Sequence, residues 1–165
     1  MSKLFYGCES LKKIDFGVFD TGSVTTMESM FDGCSSLTSL DLSSFDIQEN
    51  KNFKNMFANC RSLEKLDLSN FNTKSGTDMS FMFYGCTSLT ELSINSFNTE
   101  SVTNMNSMFE SCENIHYLDL SSFNTKNCQK FDKIFDKTDN ITVKVNSETC
   151  SNLIEAIKGI VIIES

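Results

Sequence analysis

The chain has 165 residues, 39% hydrophobic and 22% charged, a balance ordinary for a soluble globular protein. Its net charge of −8 and isoelectric point near 4.6 argue against nucleic-acid or anionic-lipid binding, which needs clustered Lys and Arg, and the sequence holds no such cluster. It also lacks a run of about 18 apolar residues and a charged-then-apolar leader, so it predicts no membrane insertion by this segment and no signal peptide within it.

The stretch Ser23–Gln48, SVTTMESMFDGCSSLTSLDLSSFDIQ, recurs along the chain. Phe5 and Cys8, Phe31 and Cys34, Phe57 and Cys60, Phe83 and Cys86, and Phe109 and Cys112 return at intervals of 26 residues, and Phe135 closes the series with Thr138 in place of the cysteine. Self-similarity at this period marks a repeat architecture, in which one unit cannot bury its apolar face without a neighbour. Met1 falls in the column of Met27, Met79 and Met105, so the chain opens partway through a unit and is expected to be part of something longer.

The first element of each unit is read as a short helix, because Val24, Met27, Met30, Phe31 and Cys34 are spaced to share one helical face. Gly7, Gly33 and Gly85, with Asn59, sit where a left-handed residue ends a helix; Ser111 is the exception. A strand follows, since Leu40–Asp41–Leu42 alternates and the frame Leu37, Leu40, Leu42, Phe45 returns as Leu63, Leu66, Leu68, Phe71 and as Ile115, Leu118, Leu120, Phe123. Asp20, Asp46, Asn72, Asn98 and Asn124 then favour the turn into the next unit. In the sixth unit the frame loses a residue, although Ile141, Val143 and Val145 still alternate. A cap follows, with Asn146 or Ser147 opening a helix over Cys150, Leu153, Ile154 and Ile157, Gly159 ending it, and Ile160–Ile163 forming a last strand.

The expected fold is an α/β solenoid, a right-handed arc with one parallel sheet, about six strand-helix rungs of 26 residues and a helix-strand cap. The repeat region spans residues 1–146, in units of about 1–22, 23–48, 49–74, 75–100, 101–126 and 127–146, and the cap spans 147–165.

The strand frame L-x-x-L-x-L resembles the leucine-rich repeat, and SVTxMxxMFxGCxSLxxLDLSSFDT is similar to its BspA-type subgroup of surface proteins, over about Met1 to Asp139. Val102–Met108 with Phe109, Cys112, Leu118–Phe123 and Asn124–Thr125 carries nearly the whole motif. The resemblance implies a leucine-rich repeat arc that binds at the cell surface, often as an adhesin, secreted or displayed as part of a longer protein. It supplies no catalytic residues.

The outward strand positions place Asp15, Asp41, Asp67 and Asp119 in one column, interrupted by Ser93, with Lys65, Glu91 and Tyr117 in the column beside it. Acids about 4.8 Å apart on parallel strands would repel one another, and a basic partner would relieve that repulsion; the bland alternative is a solvated polar face. Calcium is the weaker reading, because hard cations need six or more convergent oxygens. The five periodic cysteines read as small buried filler rather than a redox or zinc row, since no C-x-x-C occurs and His116 is the only histidine. The serines of LSSF lack an acid–base partner, so no hydrolase is expected.

The sequence therefore points to a monomeric, non-enzymatic, cofactor-free module binding a protein or glycan, with a passive structural spacer or an intracellular scaffold as the alternative. The frame makes a direct forecast: Leu66→Ala should cost about 2–5 kcal/mol, as for other buried leucines. Asp67→Ala should cost much less, and equal shifts of the thermal midpoint for the two variants would contradict the frame.

Overall fold

A computed structural model describes residues 1–157 and 159–164. Residues 158 and 165 of the predicted cap lie outside the described residues. The protein is a small α/β fold with two short parallel sheets and almost no helix. Strand β1 (Lys65–Asp67) pairs with β2 (Glu91–Ser93), while β3 (Tyr117–Leu120), β4 (Thr142–Val145) and β5 (Val161–Glu164) form the second sheet in that order. Among the described residues the single helix, α1 (Ser151–Ala156), lies between β4 and β5. No helix among the described residues is long and apolar enough to cross a membrane.

The predicted helix in each unit is absent. From Ser29 to Cys34 the N–H groups alternate between two destinations: those of Met30, Asp32 and Cys34 donate to the carbonyls of Met27, Ser29 and Phe31, three residues back. Those of Met27, Ser29, Phe31 and Gly33 donate instead to Asn52, Lys54, Met56 and Ala58 of the next unit. A helix sends every N–H four residues back along its own chain, so it cannot make this second set. Two positions in each unit are also left-handed. One column holds Lys3, Ser29, Asn55, Phe81, Ser107 and Lys133; the other holds Gly7, Gly33, Asn59, Gly85, Ser111 and Lys137. The glycine signal was thus a genuine left-handed signal belonging to a turn series, and Ser111 obeys it. A succession of three-residue turns also brings Met27, Met30, Phe31, Cys34 and Leu37 inward, all of them buried, which is why the spacing imitated a helix.

The strand half of the unit is shorter than predicted. Leu40–Asp41–Leu42 forms no strand, although Thr38 N–H still donates to Lys12 of the preceding unit, as Thr90 N–H does to Glu64. The predicted turns do form: Asp20, Asp46, Asn72, Asn98 and Asn124 each accept the N–H two residues on. In the cap, helix and strand are both present, but Cys150 occupies the N-cap without a side-chain capping bond, its thiol donating to the Phe123 carbonyl. Asn146 instead closes the preceding turn, accepting from the N–H groups of Glu148 and Thr149.

Like side chains lie over like. Phe5, Phe31, Phe57, Phe83, Phe109 and Phe135 form a continuous pile with neighbouring centroids 5.3–5.7 Å apart and planes within 7° of parallel. A second column is tied by hydroxyls: Thr73 and Thr99 are buried, and each donates to the carbonyl of Asn98 or Asn124 in the next unit and accepts that residue's N–H. Bulk is exchanged between neighbouring columns. Val102 follows Met79, whereas Gly76 follows Phe53, because a Cβ at Gly76 would lie 2.9 Å from the Phe53 ring and 3.0 Å from the Thr73 carbonyl.

Gly76→Val should therefore destabilise the protein by about 1–3 kcal/mol through overpacking. Adding Phe53→Met, which restores the Met and Val pairing of the neighbouring unit, should recover part of the loss in chemical denaturation. A double variant no more stable than Gly76→Val alone would refute this exchange of volume.

Candidate interaction face

The strand side carries the predicted outward residues. Lys65 and Glu91 are opposite one another in the β1–β2 register and form an exposed ion pair at 2.5 Å. Such a pair contributes little to stability in solvent, so its value is as a surface feature. Tyr117, 52% exposed, opens β3. Asp41 and Asp67 share a shallow depression of about 560 Å³ with Lys65, Glu91 and Ser93. Asp15 lies next to Asp41 in an adjoining depression. Asp119 is brought elsewhere: it belongs to the second sheet, where its register partner Lys144 approaches to 3.1 Å.

The acid column has a local task that the repulsion argument missed. Each carboxylate accepts the N–H two residues on: Asp15 from Gly17, Asp41 from Ser43, Asp67 from Ser69 and Asp119 from Ser121. These are Asx turns, in which a short side chain closes the backbone where the strand ends. Mutual repulsion would raise the carboxyl pKa values, yet the Ser43 bonds hold Asp41 below the usual carboxylate range and the Ser69 bonds do the same for Asp67. For Asp119, burial pushes upward but is outweighed by the hydroxyl and N–H of Ser121 and by Lys144, so it too lies low. The signal was legible as Asp-x-Ser or Asp-x-Gly in four units. Lys144 was also missed, although the alternation Val143, Lys144, Val145 points it outward once the lost residue is counted.

The cysteine column is buried beyond the half-exposed Cys8, and its buried thiols are donors. The thiols of Cys34, Cys60, Cys86 and Cys112 point to the carbonyls of Phe5, Phe31, Phe57 and Phe83, one unit back, at 3.1–3.3 Å. Thr138 makes the same bond to Phe109 with its hydroxyl at 2.6 Å, which explains why threonine can replace cysteine there. The residue type thus supplies a compact apolar body and a weak donor at once. Burial, aided by the neighbouring thiol, pushes Cys34 up to about 11; burial raises Cys112 to about 12 and Cys86 well above its ordinary value. All seven cysteines are free. Among the described residues no three Asp, Glu, His or Cys side chains converge as a metal-ligand set.

Two overlapping stretches of the chain, residues 1–89 and 63–160, match a family described as "Mycoplasma protein of unknown function, DUF285". No curated protein matches the chain.

Because thiolate formation is disfavoured in the folded state, native protein should react with Ellman's reagent at the half-buried Cys8 and leave the buried thiols untouched until it unfolds. The same shifts set a pH dependence. Below about pH 9 the thiols are protonated in both states; above it the unfolded chain loses protons first, so stability should fall as pH rises from about 9 through the folded values near 11 and 12. Denaturation curves that stay constant across that window would contradict it.

Proposed function

The chain belongs to the DUF285 family, and from that premise we propose that it is a repeat solenoid of BspA-type leucine-rich character serving as a non-enzymatic interaction module. The backbone bonds from each unit to the next and the uninterrupted Phe pile favour the solenoid reading. In this reading the module belongs to a longer cell-surface or secreted protein, and its partner is a protein or a glycan. The binding face is the strand side, with Lys65, Glu91, Asp41 and Asp67 as its centre, Asp15 adjoining them, and Tyr117 and Asp119 contributed by β3 of the second sheet. The carrying observations are the exposure of Tyr117 on β3 and the exposed Lys65–Glu91 pair held in register by β1 and β2. An aromatic ring and ordered charges on a rigid support bind at low entropic cost.

The Asx turns favour a second reading, a passive spacer. One oxygen of each acid is already engaged by its own backbone, so the column can serve the fold without any partner. The two readings separate cleanly. Asn retains the accepting oxygen of an Asx turn and removes the charge, so a triple variant with Asp41, Asp67 and Asp119 changed to Asn should keep the fold, losing only the part-exposed Asp119–Lys144 ion pair. Tested against panels of purified extracellular-matrix proteins and immobilised glycans, wild type should bind a panel member that the triple variant binds about tenfold more weakly, the effect of losing charge-assisted contacts. Identical binding by both proteins, or no binding by either, would reject this face and leave the spacer.

A further inference from the structure

The turn series holds a second feature, independent of the strand side. A groove of about 600 Å³ crosses it, lined by residues of several successive units. Phe81 and Tyr84 line it, their rings edge to face at 5.9 Å and both half-buried. Phe81 holds a φ of +58°, in a column where the other units place lysine, serine or asparagine. A bulky side chain in the left-handed region is disfavoured, and partial burial of this ring is a modest return for it. Glu110 occupies the Tyr84 position one unit on and lines the same groove. It is only 8% exposed as a whole, but its carboxylate oxygens reach solvent and make no hydrogen bond or ion pair among the described residues. A donor arriving from the groove would give that carboxylate its first partner.

We propose that this groove receives an arginine side chain of a partner protein, with Glu110 pairing to the guanidinium and Phe81 and Tyr84 packing against its planar face. Guanidinium is the group that matches both features. It is flat enough to lie on aromatic rings, weakly hydrated enough to enter a partly dry site, and forked so that two N–H groups reach one carboxylate. Asp32 and Asp132 along the groove add negative potential, and the net charge of −8 draws a cationic segment toward the protein. Lys54 and Lys133, which also line it, set a limit: they repel a run of basic residues, so the arginine is flanked by neutral or acidic neighbours. A lysine offers only a point charge and loses the stacking, so it is the poorer occupant.

The test uses the intact chain and three probes: the blocked peptide Gly-Ser-Asp-Arg-Ser-Gly, the same peptide with citrulline for arginine, and maltoheptaose. In two-dimensional NMR the arginine peptide should shift the amide signals of Phe81, Tyr84 and Glu110. Citrulline in the peptide, or Glu110→Gln in the protein, should weaken binding about tenfold or more, as expected for loss of a charge-assisted pair. Glu110 has no partner to lose, so Glu110→Gln should keep the wild-type thermal midpoint. The triple Asn variant of the strand side should bind the arginine peptide as wild type does. Equal binding of the citrulline peptide, undiminished binding by Glu110→Gln, shifts confined to the strand side, a response to maltoheptaose alone, or no response to any probe would each overturn the proposal.

Discussion

The carbonyl of the first-column phenylalanine is the joint on which the rest of the molecule depends. The Phe31 oxygen accepts both the Cys34 N–H of its own unit and the Cys60 thiol of the next, so both its lone pairs are used in a site from which water is excluded. The Phe31 N–H donates to Met56, and its ring lies parallel to Phe57 at 5.6 Å. One residue therefore satisfies its backbone locally and across the unit boundary while burying a large aromatic surface. Phe57 and Phe83 repeat the arrangement, and Thr138 preserves it at Phe109 with a hydroxyl. A polar group left unpaired at this depth costs more than a surface bond gains, which makes the column intolerant of mismatch.

That joint accounts for what the sequence made legible and what it concealed. The period, the apolar columns, the Asx turns after the second phenylalanine and the left-handed column of Gly7, Gly33 and Gly85 all follow from residue types acting on their immediate backbone, and each could be read directly; the second left-handed column, with Ser29 and Phe81, carried no such signal. The helix was misread because inward side chains three and four residues apart are compatible with either a helix or a chain of tight turns. Only the destination of the N–H groups separates the two, and that depends on the neighbouring unit. Asp41 and Asp67 were read as a charged display, when Ser43 and Ser69 two residues later already marked them as turn closers. Position on an outward face was legible; the local bond that the side chain had already made was overlooked.

The groove at Phe81 and Glu110 lay beyond pattern reading for a different reason. It rests on one departure from the repeat and one mixed column: Phe81 stands where other units have lysine, serine or asparagine, and Glu110 lies in a column that runs Tyr6, Asp32, Ala58, Tyr84, Glu110 and Asp136. A periodic reading averages such exceptions away. In a chain whose regular positions are occupied with holding units together, individuality is concentrated at positions the period does not constrain, and recognition is best sought there.

The alternation of N–H destinations has a consequence for how such a chain can change its length. Each unit presents one neighbour with the same row of donors that it receives from the other, as Phe31 to Met56 is followed by Phe57 to Met82. Excising one whole period would bring the Phe31 ring and N–H against the Phe83 ring and the Met82 carbonyl, with the Cys86 thiol falling on the Phe31 oxygen. No bond in the joint would change type. Genetic gain or loss of complete units is thus structurally seamless, whereas a slip of a single residue would misplace every donor in the row.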